Sequence, residues 1–592
     1  MSIYNAPLQD TRFVLEQLVE LDRLCAELQL DEINTELANV IVEEAGKLAS
    51  DVLAPLNSQG DKNGTRLEDG KVLESAGFAE AYQQFMENGW ATLTAPLAFG
   101  GQGLPNVIGT AVNELWHAAN MSFALCPMLS QGAVEALIAH GSETLQQQYL
   151  PRLISGEWTG TMNLTEPNAG SDLAAVAARA VPEADYYRIS GQKIFITWGD
   201  HQMTPNIVHL VLARLPDAPA GVKGISLFIV PKFLLDDNGE PGELNDAHCI
   251  SLEHKMGIHA SPTCTMSFGD NGGAIGYLVG EANKGLSYMF TMMNHARQSV
   301  GLQGLSISER AYQQALLFSQ ERLQGNRPDG SKIPIIEHAD VRRMLMAMKS
   351  GCEAMRALAL IAAAEVDLSH SSNDSAARAK PRAELLTPIV KGWMTELAQE
   401  LTSLNIQVHG GMGFVEETGA AQHYRDARIL PIYEGTTGIQ ALDLIGRKTL
   451  SDQGQALIDL LQEMLTTAEI LSASDNKTLH QLGSKLSNAI QQAEAAKAWV
   501  LSNAGNRQQA GCVSYDFLML MGYLCGGWLL ARSALQAAAL EATDNAYGDA
   551  FLQAKQSIAL FYAQHYLPRV GQHAEILSSG LSATFALTVE QL

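Results

Sequence analysis

The stretch "YYRISGQKIFI" (Tyr186 to Ile196), with "NIVHLVLAR" (Asn206 to Arg214) and "GISLFIV" (Gly224 to Val230) after it, decides the fold. β-Branched and aromatic residues crowd these short runs, and Gly, Pro, Asp and Asn separate them, as in strands joined by turns. The pattern begins at Trp158 and ends near Ala274. That length of chain suffices for one small antiparallel barrel or sandwich.

Helical spacing prevails on both sides of this segment. Phe13, Leu15, Leu18, Leu21 and Leu24, then Ile33, Leu37 and Val40, recur as one face of a helix. A break rich in Gly, Asn and Asp (Ser58 to Gly70) leads to more helix. The stretch "GWATLTAPLAFGGQGLP" (Gly89 to Pro105) then reads as an ordered loop from its Gly and Pro density. After Gly285 the apolar pattern runs long, over Leu286 to Leu323, Ile336 to Leu368 and Ala383 to Gly410, lengths suited to a bundle. Residues 451–592 are Ala-, Gln- and Leu-rich and predict further helices. The expected class is α+β and multidomain. An N-terminal helical extension covers 1–35, an N-terminal α domain 36–157 and a middle antiparallel β domain 158–275. A four-helix-bundle domain covers 276–450, and an extra C-terminal helical domain 451–592.

Bulk properties remove several classes of function. Sixty-four acidic against 39 basic residues give a net charge of -25, and no basic run stands out, so a nucleic-acid-binding face is not expected. The seven cysteines are scattered and form no C-x-x-C pair, which argues against zinc or a disulfide framework and for a reducing compartment, most simply the cytoplasm. No metal site is predicted. The chain opens without a basic start and apolar core of the signal-peptide kind. Its longest uncharged apolar stretch, Phe517 to Ala531, reads as a buried helix rather than a transmembrane segment.

Candidate chemistry centres on "RDARILPIYEGTTGIQ" (Arg425 to Gln440). Glu434 is a single carboxylate among apolar and small residues. In a partly dry pocket its pKa rises toward neutrality, which suits removal of a proton from a weak carbon acid. In "MNLTEPNAGSDL" (Met162 to Leu173), amides and short hydroxyls around a turn fit the edge of a planar heterocycle, because Gly and Ser leave it room. "KIFITWGD" (Lys193 to Asp200) ends a strand, and by alternation alone it is a half-buried edge strand. Arg297 and Arg322 lie on nearly the same helical face, about 20° apart, yet roughly 37 Å apart along the axis, so they do not serve one small site. Gly410 and Gly411 in "NIQVHGGMGF" (Asn405 to Phe414) suit the C-terminal end of a helix. No G-x-G-x-x-G joins a strand to a helix, so a Rossmann nucleotide fold is not indicated.

Taken in order, these segments resemble the acyl-CoA dehydrogenase family over about residues 40 to 450. "YNAPLQDTRFVL" (Tyr4 to Leu15) and the last 140 residues resemble its long bacterial branch, which includes broad-specificity fatty acyl-CoA dehydrogenases and 3-methylmercaptopropionyl-CoA dehydrogenase. The resemblance implies FAD as cofactor, bound in an interdomain cleft. It implies that Glu434 takes the α-proton of an acyl-CoA while the flavin accepts a hydride from the β-carbon. Met162, Leu164, Thr165, Gly170 and Ser171 are then expected to line the isoalloxazine, Ser171 also meeting substrate. Phe195 and Thr197 are expected to pack on the flavin near N5. Asn294, Arg297 and Gly435 fall on acyl-CoA contacts. Gln407, Gly410, Gly411 and Thr436 fall on the adenosine and pyrophosphate side of FAD. Arg322 is expected to reach the pyrophosphate of a flavin held by a neighbouring subunit, which implies a homodimer or a dimer of dimers.

The implied function is α,β-dehydrogenation of an acyl-CoA to a trans-2-enoyl-CoA in fatty acid β-oxidation, with electrons passed to an electron-transfer flavoprotein. Within the branch, 3-methylmercaptopropionyl-CoA is the alternative substrate. An acyl-CoA oxidase shares the fold and differs by producing peroxide without a flavoprotein acceptor. A non-catalytic scaffold of the same fold would purify colourless. A related DNA-damage-response flavoprotein would carry a basic patch, which is not found.

Overall fold

The computed structural model describes residues 4–580 and 584–592. Along the chain come α1 (Leu8–Val14), α2 (Asn106–Ala119) and α3 (Met121–His140). The strands follow as β1 (Trp158–Asn163), β2 (Arg179–Glu183), β3 (Tyr186–Thr197), β4 (Asn206–Arg214), β5 (Ile225–Pro231), β6 (Ala247–Leu252), β7 (Thr263–Phe268) and β8 (Ala274–Leu278). The long helices are next: α4 (Gly285–Glu321), α5 (Ala339–Ser369) and α6 (Ser375–His409), with the short α7 (Ala420–Ala427) and α8 (Thr437–Asp443). The last segment folds as α9 (Gln455–Ser472), α10 (Lys477–Ser502), α11 (Arg507–Leu540), α12 (Asp549–His565) and α13 (Arg569–Ser579). The class is α+β, with helices before and after a central sheet, as the alternation of patterns predicts.

By compactness the chain divides into two units. One comprises residues 47–104 and 119–296 and contains the sheet; the other comprises residues 1–46, 105–118 and 297–592 and is helical.

In the sheet unit the strand order is β6-β7-β3-β8-β5-β4-β1, with β2 paired to β3. The pairing is mainly antiparallel, but β1 lies parallel to β4, Trp158 opposite Asn206 and Asn163 opposite Val211. Parallel neighbours need a long crossover, and the 40-odd residues that carry β2 and β3 between these strands supply one. Val211, Phe228, Ile189, Ile196 and Met266 form its core.

In the helical unit, α5 and α6 form a long pair, and α11 packs on both. The approach of α6 to α11 is close because small residues face large ones. A Cβ on Gly522 would lie 2.0 Å from Trp393 Cγ, and one on Gly392 would lie 2.4 Å from Leu518 Cδ2. Phe517 to Ala531 is buried in α11. Among the described residues two helices, α3 and α11, are long and apolar enough to cross a membrane, yet 78% and 89% of their most apolar 18-residue stretches are buried, as in core helices.

A buried charge network also joins distant parts of this unit. Arg356 on α5 donates to Glu114 on α2 (2.6 and 2.9 Å), to Glu309 on α4 (2.9 Å) and to Asp10 on α1. Lys555 on α12 bridges Asp10 to Glu353 on α5, 2.9 Å from the latter. Such a network contributes little net stability over an apolar core, but a wrong docking would leave its charges unpaired.

Candidate active site

The turn between α7 and α8 carries the carboxylate. Tyr433 N–H donates to Ile429 O (3.1 Å) and Thr437 N–H to Pro431 O (3.0 Å), while Thr436 caps α8 by accepting from Ile439 N–H (3.3 Å). Between these anchors Glu434 and Gly435 both have left-handed backbones, with φ of +54° and +88°. The conformation is costly for a side chain such as Glu434's. At Gly435 a Cβ would also meet Gln440 Nε2 at 2.7 Å, so glycine is required there. The Gln440 amide donates to the carbonyls of Glu434 and Gly435, 3.3 Å each, and pins the turn from below.

Glu434 is half-buried, and protein surrounds its carboxyl on most sides. Burial raises its pKa to about 7, against the opposing pull of Arg297 and Lys391. Arg297 on α4 is buried, 3.6 Å from Asp443 on α8, and burial lowers its pKa. Lys391 on α6 is fully buried and its Nζ hydrogen-bonds to no protein group among the described residues. Burial pulls its pKa down to about 7, with Glu434 and Glu396 pulling the other way. The helical unit therefore brings Glu434, Gly435 and Arg297 together, with Lys391 beside them. A lysine inside the apolar run "TPIVKGWM" (Thr387 to Met394) was the available signal for it.

The remaining expected residues of this unit lie elsewhere on it. Thr436 is exposed and lines a cavity of about 430 Å³ with Glu396 and Arg428. Gln407, Gly410 and Gly411 lie exposed at the end of α6, Gly410 with φ of +59° as its C-cap. Arg322 follows the last residue of α4 and is exposed. It shares no site with Arg297.

In the sheet unit, β1 delivers Met162 and then Leu164 and Thr165, all half-buried, while Asn163 between them faces inward. Thr165 O accepts from Ile194 N–H (2.9 Å), so this segment lies against the end of β3. Two residues that sequence reasoning left without a role make the junction. Lys193 Nζ, buried, donates to Leu164 O (3.0 Å) and to Glu166 Oε1 (2.7 Å). Glu166 in turn accepts from the N–H groups of Ala177 (2.6 Å) and Ala178 (3.1 Å). Burial draws the Lys193 pKa down to about 8. Gly170 and Ser171 are exposed on the loop that this pair holds, and a Cβ on Gly170 would touch nothing.

Phe195 departs from a plain edge strand. β3 lies inside the sheet between β7 and β8, and its register with β7 slips, Cys264 facing Ile196 and Met266 facing Lys193. The bulge gives Phe195 a φ of +61° and leaves its ring 58% exposed beside half-buried Thr197. Trp198 turns the other way. Its Nε1–H donates to Ser122 O (3.0 Å) and its ring stacks on Phe78. Asn294 is exposed on α4.

Family profiles cover most of the chain. The acyl-CoA dehydrogenase N-terminal, middle and C-terminal domain profiles match residues 35–157, 161–271 and 283–450, and "Acetyl-CoA dehydrogenase C-terminal like" matches 460–588. A 3-methylmercaptopropionyl-CoA dehydrogenase of Ruegeria pomeroyi is 48% identical over 98% of each chain. The chain belongs to the acyl-CoA dehydrogenase family. Among solved structures, Caenorhabditis elegans ACDH-11 in complex with C11-CoA superposes with a TM-score of 0.80 at 20% identity, over 99% of this chain and 96% of that one. A Bacillus anthracis acyl-CoA dehydrogenase complexed with FAD gives 0.72 at 21% identity, over 93% and 89%. Both share the acyl-CoA dehydrogenase fold with this chain.

Proposed function

We propose that this acyl-CoA dehydrogenase oxidises the Cα–Cβ bond of an acyl-CoA to a trans-2-enoyl-CoA, with Glu434 as the base. The observation that carries the reading is Glu434 itself: a half-enclosed carboxyl on a left-handed turn, its pKa raised to about 7 by burial. At neutral pH such a base is substantially ionised and still a strong proton acceptor. Its own N–H meets no acceptor among the described residues, which suits it to donate to the thioester oxygen as the α-proton leaves. An oriented donor of this kind typically contributes a few kcal/mol. Arg297 adds positive charge beside the carboxylate, and Lys391 adds to it in its protonated form.

The residues fit FAD. In the sheet unit the bulge offers the exposed Phe195 ring for stacking, Thr165, Ser171 and Thr197 offer hydroxyls, and Gly170 leaves open space; the helical unit, by itself, leaves open space at Gly410 and Gly411. When bound, FAD supplies the acceptor for the hydride that leaves Cβ as the proton leaves Cα. Glu434 receives that proton, and the electron pair it frees becomes the new C=C bond. The resemblance assigns Met162, Leu164 and Thr165 to isoalloxazine contacts, and Asn294, Arg297 and Gly435 to acyl-CoA contacts. The exposure of Arg322 supports service to a flavin held by a second copy, hence a homodimer or dimer of dimers. An electron-transfer flavoprotein is the proposed acceptor, and seven free cysteines support a cytoplasmic setting.

The identity to the Ruegeria pomeroyi protein across the full chain favours 3-methylmercaptopropionyl-CoA as substrate. A straight-chain fatty acyl-CoA in β-oxidation is the second reading, favoured by the 33% identity to a broad-specificity linear acyl-CoA dehydrogenase of Mycobacterium tuberculosis. Anaerobic titration with 3-methylmercaptopropionyl-CoA and with acyl-CoAs of graded length separates them by which bleaches the flavin fastest. Glu434→Gln is expected to stay yellow and bind acyl-CoA without bleaching. Normal bleaching in that variant would end the assignment of the base.

A further inference from the structure

Three side chains from separate elements form one hydrogen-bonded line that ends at the residue before Glu434. The Tyr433 hydroxyl donates to Gln303 Oε1 on α4. Gln303 Nε2 lies 3.2 Å from His117 Nε2 on α2, and His117 Nδ1 lies 2.9 Å from Asn113 O. Gln303 and His117 are buried. We propose that this strut, His117–Gln303–Tyr433, positions the Glu434 carboxylate for proton abstraction. The proposal rests on the reading of Glu434 as the base.

The proton order along the line has one solution. Asn113 O only accepts, so His117 Nδ1 carries the hydrogen, and Nε2 is left with a lone pair. That lone pair requires the NH2 side of Gln303, which turns Gln303 Oε1 toward the tyrosine. The tyrosine hydroxyl then spends its single proton on Gln303. Tyr433 is therefore a positioning residue rather than a proton donor to substrate. His117 is neutral throughout the working range, since burial lowers its pKa to about 4, so the direction of the line does not reverse near neutrality.

The turn has reason to need such a strut. Two successive left-handed residues are held from the α8 side by Gln440, and Tyr433 is the last residue before them on the other side. Releasing the Tyr433 ring frees the Glu434 backbone to relax toward ordinary φ. Displacing a catalytic group by about 1 Å is enough to cost roughly a hundredfold in rate.

Tyr433→Phe removes only the oxygen and leaves the packing, so it carries the test if Gln303→Met does not fold. The substrate used is whichever of 3-methylmercaptopropionyl-CoA and octanoyl-CoA bleaches the wild-type holoenzyme faster. In both variants kcat and the anaerobic bleaching rate are expected to fall about tenfold, with flavin content and KM within about twofold of wild type. The double variant is expected to fall little further, because both changes cut the same line. His117→Leu is expected to behave like Gln303→Met, and His117→Gln, which restores an acceptor, to recover part of the loss. Unchanged kcat in Tyr433→Phe, or losses that multiply in the double variant, overturns the strut. A wild type that does not bleach, or a Glu434→Gln variant that does, overturns the reading of Glu434 instead.

Discussion

At the residue scale the proposed chemistry depends on how one carboxylate sits with two cations beside it. In its proposed role Glu434 acts as the carboxylate; burial raises its pKa to about 7 while Arg297 and Lys391 work to lower it. Removing the Lys391 charge takes away one of the two lowering influences. In Lys391→Met the ascending limb of kcat/KM against pH is therefore expected to move upward, by about half a unit or more. A limb that stays in place would show that the Lys391 charge does not reach the base. The carboxylate itself was legible in the sequence, because a lone Glu before Gly in an apolar setting is distinctive in context. Lys391 was not, since its burial depends on which face of α6 meets neighbouring helices.

At the element scale, loops hold their shape through buried pairs that sequence motifs do not spell out. The segment after β1 is tied to β3 by Lys193 and Glu166, and Lys193 is wholly buried. Lys193→Met leaves Glu166 without its cation, a change worth about 3–5 kcal/mol where a buried pair loses one partner. A drop in thermal stability, together with a lower flavin-to-protein absorbance ratio, is the expected outcome. The contact of α6 with α11 obeys a steric rule instead. Gly522→Ala drives a methyl into Trp393, so a loss of about 1–3 kcal/mol or more is expected in urea denaturation. Helix positions and lengths were readable from periodicity. The bulge that turns Phe195 outward was not, because a register slip is a property of two strands and leaves no mark in either one alone.

At the scale of the whole molecule, the helices α9 to α13 contribute to the helical unit's core. α11 covers α5 and α6, and Lys555 on α12 shares Asp10 of α1 with Arg356. A chain ending at Leu450 is expected to aggregate, having lost the cover over Trp393 and the partners of a buried charge network; soluble yield and size-exclusion chromatography would show it. The amino-acid sequence by itself determined the order of helices and strands, because periodicity is local. It also pointed to Glu434 as the proposed base and to Gly435 beside it, through the resemblance carried by the surrounding segments rather than by the tripeptide alone. Only the tertiary structure decided that Glu434 is left-handed and half-enclosed, that a lysine and an arginine reach it, and that Tyr433 is tied through Gln303 to His117. Each of these depends on residues far apart in the chain, and their burial, which sets pKa and hydrogen-bond direction, exists only once the helices have packed.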